Sequence, residues 1–185
     1  MSKQIEKALV MTAEEMRRAL IRIAHEICER NRGVQQLAFI GIHSRGDALA
    51  RRIAANIAAI EELEPPVGAI DITLHRDDLD LFNRQALAGS RTSINFAIDG
   101  MRVILVDDVL YTGRTIRAAL DALTHFGRPA SVQLAALIDR GHRELPIAAD
   151  YVGKNIPTSK RETVVVAIEE KDGRDAVTIC EEADE

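Results

Sequence analysis

Two adjacent carboxylates, Asp107 and Asp108, follow the apolar run Val103-Ile104-Leu105-Val106, and the group Thr112-Gly113-Arg114-Thr115 comes shortly after them. Carboxylates accept hydrogen bonds from the vicinal hydroxyls of a sugar. Hydroxyls, a glycine that allows close backbone approach and the free amides of a starting helix favour a phosphate. Side by side, the two sets suit a phosphorylated sugar. The Asp-Asp pair alone reads better as a turn cap; it is the whole strand, turn and helix arrangement of residues 103–115 that argues for a ligand. A second segment, Gly41-Ile42-His43-Ser44-Arg45-Gly46-Asp47, also joins an apolar strand to a helix, where backbone amides and Arg45 could hold a diphosphate.

These groups need elements to position them. Thr12-Ala13-Glu14-Glu15 has the side chains of a capping box, and the helix after it should reach about Asn31. Met16, Leu20, Ile23 and Ile27 fall on one face of that helix; Arg18, Arg22, His25 and Glu29 fall on the other. Residues 35–42, 67–74, 101–106 and 131–138 read as strands, with helices over residues 45–60 and 114–126. Strands that are unbroken apolar runs alternating with helices indicate a mostly parallel sheet covered on both faces, so the fold class is α/β. Residues 163–168 and 176–180 read as a hairpin near the end of the chain. The polar stretch 76–95 has no sustained period, and its length suggests an active-site lid.

Composition narrows the function. The 185 residues suit a single domain, and 46% hydrophobic with 29% charged residues is ordinary for a globular chain. Four Phe, two Tyr and no Trp are too few for a base-stacking platform, and a net charge of −5 is the wrong sign for a bulk polyanion binder. Any phosphate site must be local. Cys28 and Cys180 have no metal-ligand spacing. No apolar run approaches a membrane span, and the first residues lack the apolar stretch of a signal peptide, so the expected location is cytoplasmic.

Residues 103–115 closely resemble the phosphoribosyl pyrophosphate (PRPP) motif of type I phosphoribosyltransferases. The wording Asp107-Asp108-Val109-Leu110-Tyr111-Thr112-Gly113-Arg114-Thr115 is similar to that of the bifunctional pyrimidine operon regulatory protein/uracil phosphoribosyltransferase family. So are Arg76-Asp77-Asp78-Leu79, the run from Asp139 to Ile147 and the run from Ala149 to Ser159, and the similarity covers nearly the whole chain. The resemblance implies a type I phosphoribosyltransferase fold with a small hood and a C-terminal β extension. It implies transfer of a phosphoribosyl group from PRPP to uracil, giving UMP and pyrophosphate, with Mg²⁺ carried on PRPP rather than bound directly by the protein.

By the same resemblance, Asp107 and Asp108 hold the ribose hydroxyls, and Thr112, Gly113, Arg114 and Thr115 surround the 5-phosphate. Ser44, Arg45 and Gly46 form the pyrophosphate loop, Arg45 and Arg76 act on the leaving group, and residues 77–95 form a mobile lid. Asp139, Arg140, Tyr151 and Val152 are the candidates for the base. Tyr111 stands where relatives acting on 6-oxopurines carry an aspartate, which counts against a purine. The resemblance further implies a homodimer or larger homo-oligomer that binds a messenger RNA hairpin when UMP is present, through Arg22, His25, Arg30, Arg143 and Lys154, and Arg18 extends the stripe of Arg22 and His25 on the first helix. Ile21 and Ala148 depart from the family pattern there. The alternatives are an RNA-binding regulator with weak or no catalysis, and a phosphoribosyltransferase for orotate or a purine.

Overall fold

The computed structural model describes residues 4–73 and 91–182. Five parallel strands form the main sheet: β2 (Leu37–Ile42), β3 (Val67–Ile70), β4 (Arg102–Leu110), β5 (Ser131–Asp139) and β6 (Tyr151–Asn155), in the order β3-β2-β4-β5-β6. Helices α1 (Ala13–Asn31) and α2 (Gly46–Glu61) cover one face and α3 (Arg114–Leu123) the other. Alternate strand residues serve the two faces. Phe39, Ile104, Val106 and Leu137 pack with α1 and α2. Ile40, Ile42, Val103, Leu105 and Leu134 pack with α3. Burial on both faces is why these strands read as continuous apolar runs.

A second sheet is antiparallel, in the order β1-β8-β7, from β1 (Gln4–Met11), β7 (Glu162–Ala167) and β8 (Ala176–Glu182). The expected hairpin is thus present, with the four-residue helix α4 (Glu169–Asp172) in its connection and an unforeseen third strand from the start of the chain. The capping box of α1 is complete: Glu15 N donates to Thr12 Oγ1 at 3.3 Å, and Thr12 N donates to Glu15 Oε2 at 2.8 Å. No helix among the described residues is long and apolar enough to cross a membrane.

The strand order fixes where a ligand can enter. From β2 the chain steps outward to β3, then returns to the other side of β2 to lay down β4, β5 and β6. The direction reverses between β2 and β4, and in open α/β sheets the crevice beyond the carboxyl ends at such a switch point is the usual binding site. Both segments singled out in the sequence leave the sheet there. Arg76 and most of the expected lid lie outside the described residues. Within residues 91–95, Ser93 pairs antiparallel with Ala69, so this end of the stretch is fastened to β3.

Candidate active site

β4 runs further than the sequence suggests. It stays paired with β5 through Leu110, so Asp107 and Asp108 sit on the strand rather than in a turn over residues 107–113. Asp107 is 6% exposed and its Oδ1 accepts from Asp108 N at 3.0 Å. Asp108 Oδ1 accepts from Val109 N at 2.8 Å. Burial pushes the Asp108 carboxyl above the usual range; the hydrogen bond from Val109 and the charge of Arg45 oppose it without prevailing.

Beyond Leu110 the chain turns through Gly113, whose φ of +93° is the left-handed region that glycine adopts without strain. Gly113 is the N-cap of α3 and no side chain caps the helix. Thr112 Oγ1 accepts from Arg114 N at 3.3 Å, and the Arg114 side chain donates to Glu144 Oε2 at 2.8 Å. A cavity of about 260 Å³ opens here, with Asp107, Tyr111, Thr112, Gly113, Thr115 and Glu144 in its wall. Asp107 shares this wall with the amino end of an uncapped helix, where partial positive charge favours an anion.

The loop after β2 packs against the same place. A Cβ at Gly46 would lie 2.3 Å from Val106 O and 3.3 Å from Asp107 Cα; one at Gly41 would lie 2.3 Å from Gly46 O. Only hydrogen at these two positions lets the loop close onto β4. The His43-Ser44 peptide is cis, Ser44 is exposed, and α2 starts at Arg45 without a side-chain cap. Two uncapped helices, α2 and α3, therefore begin on either side of the acidic pair. Arg45 donates from Nε and Nη2 to the carboxylate of Asp172, at 3.2 and 2.9 Å.

Comparison with known proteins gives this arrangement a family. The profile of the phosphoribosyl transferase domain matches residues 10–171. The bifunctional protein PyrR of Deinococcus radiodurans is 56% identical over 178 residues, covering 96% of this chain and 97% of that protein. Its counterpart in Thermus thermophilus is 58% identical over 175 residues, covering 95% and 96%.

The chain belongs to the PyrR family of phosphoribosyl transferases.

Its fold is shared more widely. The hypoxanthine phosphoribosyltransferase of Trypanosoma cruzi superimposes with a TM-score of 0.71 at 18% identity, covering 96% of this chain and 98% of that one. The type I phosphoribosyltransferase fold expected from the sequence is the one observed.

Within this chain, the residues expected around the base are dispersed. Tyr151 is 2% exposed and belongs to the core: its hydroxyl donates to Gln133 Oε1 at 2.6 Å and accepts from Asn31 Nδ2 at 3.2 Å, beside the end of α1. It does not reach the cleft. Val152 O accepts from Arg22 Nη2 at 3.0 Å. Arg140, 6% exposed, donates to Thr158, Ser159 and Glu162, and its guanidinium stacks 4.0 Å over the Tyr111 ring. Asp139 pairs with Arg143 rather than with Arg140.

Arg143 also packs into the cleft wall. It was expected to face RNA, but it donates to the carbonyls of Tyr111 and Ile147 as well as to Asp139, and so braces the wall of the cavity. The other basic residues stay on the surface: Arg18, Arg22 and His25 are exposed along α1, and Lys154 on β6 reaches Val10 O at 2.8 Å. Arg18 pairs with Glu14, Arg22 with Glu26 and Arg30 with Asp150. Sequence reasoning missed Glu144, Arg143 as a brace and Asp172. The charged run Arg140-Gly141-His142-Arg143-Glu144 was the available signal for the first two; Asp172 offered none.

Proposed function

We propose that this chain transfers the 5-phosphoribosyl group of PRPP to uracil, giving UMP and pyrophosphate. The observation that supports it is the convergence of the Asp107-Asp108 pair, the uncapped start of α3 and the tight loop of Ser44, Arg45 and Gly46 at one switch point. In this reading Asp107 and Asp108 accept hydrogen bonds from the ribose hydroxyls, and Thr112, Gly113, Arg114 and Thr115 receive the 5-phosphate. Arg45 and the amides of its loop hold the diphosphate. The bond from C1 of the ribose to the diphosphate oxygen breaks with its electron pair leaving on pyrophosphate. Positive charge grows at C1, as in glycoside hydrolysis, and N1 of uracil bonds to that carbon as its proton passes to solvent.

Among the described residues no group of three or more His, Cys, Asp or Glu could hold a metal by itself. Mg²⁺ is usually held by one or two carboxylates together with substrate phosphates and water, so the acidic pair would serve an ion carried on PRPP rather than one the protein binds alone. When bound, Mg²⁺ neutralises charge on the departing diphosphate. Tyr111, stacked under Arg140 in the cavity wall, puts a phenol rather than a carboxylate at position 111, which favours a pyrimidine over a 6-oxopurine. Pyrophosphate release assayed with uracil, orotate, hypoxanthine and adenine checks the reading. Turnover is expected with uracil alone; turnover with another base, or with none, overturns it.

A second activity, UMP-dependent binding of an RNA hairpin by a homo-oligomer, draws support from the exposed stripe of Arg18, Arg22 and His25 beside Lys154. Hairpin affinity should rise with UMP, fall with added salt and drop in Arg18→Ala/His25→Ala. Affinity indifferent to UMP and equal for unrelated RNA removes this activity.

A further inference from the structure

The connection between β7 and β8 belongs to the small antiparallel sheet, yet it reaches the start of α2 at two points. Asp172 takes the guanidinium of Arg45 by its Nε and Nη2, and Lys171 Nζ lies 3.2 Å from Oδ1 of Asp47, which is 6% exposed. Asp172 is itself held in place: its Oδ2 accepts from Ile168 N at 2.9 Å, and its own N donates to Ile168 O at 2.7 Å. Two neighbouring residues of one turn therefore hold two residues at the start of α2, and one of these is the arginine assigned to the diphosphate.

The geometry of the contact says what it leaves available. A guanidinium carries five N–H donors in a flat fork, and a carboxylate gripping the Nε edge uses two of them. The edge that carries Nη1 stays available to an incoming anion. A long side chain that is already fixed loses less freedom on binding than one that must be ordered by the ligand. We propose that Asp172 is a positioning residue for the diphosphate: it grips Arg45 by one edge and so presents the other edge to the leaving group of PRPP. The proposal rests on the assignment of Arg45 to the diphosphate made above. Asp172 lies just outside the matched family segment of residues 10–171.

UMP carries no diphosphate and separates positioning from simple folding. The full-length protein is titrated with PRPP, with pyrophosphate plus Mg²⁺ and with UMP, as wild type, D172N, D172E, R45A and R45A/D172N. In D172N, PRPP and pyrophosphate affinity should fall about tenfold, a typical loss for one charge-assisted contact, with UMP affinity unchanged. D172E should recover most of the loss. In the R45A background D172N should add nothing, because the effect passes through the arginine. Unchanged or tighter PRPP binding in D172N overturns the proposal, the latter marking Asp172 as a competitor of the diphosphate. Equal loss of UMP binding also overturns it, since Asp172 then serves the fold. If R45A leaves pyrophosphate binding intact, the assignment of Arg45 itself fails, whatever D172N does.

Discussion

Burial at the end of β4 raises the pKa of Asp108, outweighing the hydrogen bond from Val109 and the field of Arg45. For a carboxyl with a raised folded pKa, the associated stability is fully present below the unfolded value and is lost as pH rises through the folded one. At neutral pH the fold therefore bears a charge it would hold more easily as an amide. Asp108→Asn should raise thermal stability by about 1 kcal/mol, or roughly 2 to 4 °C for a chain of this size, while PRPP affinity collapses. Unfolding scans with and without PRPP check both halves, and an unchanged or lower midpoint means the charge is not strained. That the acidic pair, Thr112, Gly113 and Arg45 meet at one end of the sheet was legible in the sequence because each lies in a short segment at a strand-to-helix junction. The surroundings of Tyr151 and Arg143 were not. A sequence does not tell which neighbours a tyrosine on a strand will meet, and Tyr151 meets Asn31 and Gln133, far from it in the chain.

The helix starts differ by what they do. α1 has its complete capping box, whereas α2 and α3 start beside the cleft with no side-chain cap. Thr12→Ala should cost about 1 kcal/mol of stability and leave PRPP affinity unchanged, because it removes a cap from a helix that holds the core. Gly46→Ala should cost both stability and ligand affinity. Its Cβ would lie 2.3 Å from Val106 O, a backbone atom that cannot turn aside. The loop must lift off β4, costing about 1 to 3 kcal/mol and moving Arg45 away from Asp107 and Asp108. Urea unfolding beside pyrophosphate titration separates the two variants; pyrophosphate binding that survives Gly46→Ala removes the tight packing from the site. Four of the five strands of the main sheet were legible because burial on both faces leaves apolar runs; β6, the partly exposed edge run Tyr151–Asn155, was not. β1 was not, since its mixed run Gln4–Met11 becomes a strand only by pairing with β8 at the far end of the chain.

At the scale of the molecule, charge adds to the apolar packing of Val164, Val166, Ile168 and Val177 in tying the small sheet to the main one. Arg52 on α2 donates to Glu170 from Nε and Nη2 at 2.8 and 2.6 Å, and to Asp175 from Nη1 and Nη2 at 2.8 and 2.9 Å, so one guanidinium spans both sides of the β7–β8 connection. The hydrogen bonds from Arg52 hold the Glu170 carboxyl below its usual value. Burial pulls Asp175 upward, but the bonds from Arg52 and Glu169 N together hold it below its usual value too. Carboxylates with depressed folded pKa values contribute stability that is present above their unfolded values, 4.5 and 3.8, and is lost as pH falls through the folded ones. Acid should therefore loosen the attachment of the β7–β8 connection to α2, and with it the contact of Asp172 on Arg45. Arg52→Met keeps much of the side-chain bulk and removes the charge. At pH 7 the variant should unfold a few degrees lower, because Glu170 and Asp175 then face each other without their shared partner. Between pH 5 and pH 3 its midpoint should fall less steeply than that of the wild type, because the carboxylates no longer have a folded partner to lose. Unfolding midpoints measured across that range decide the matter: parallel curves for the two proteins would mean that the acid sensitivity arises elsewhere and that Arg52 does not join the sheets.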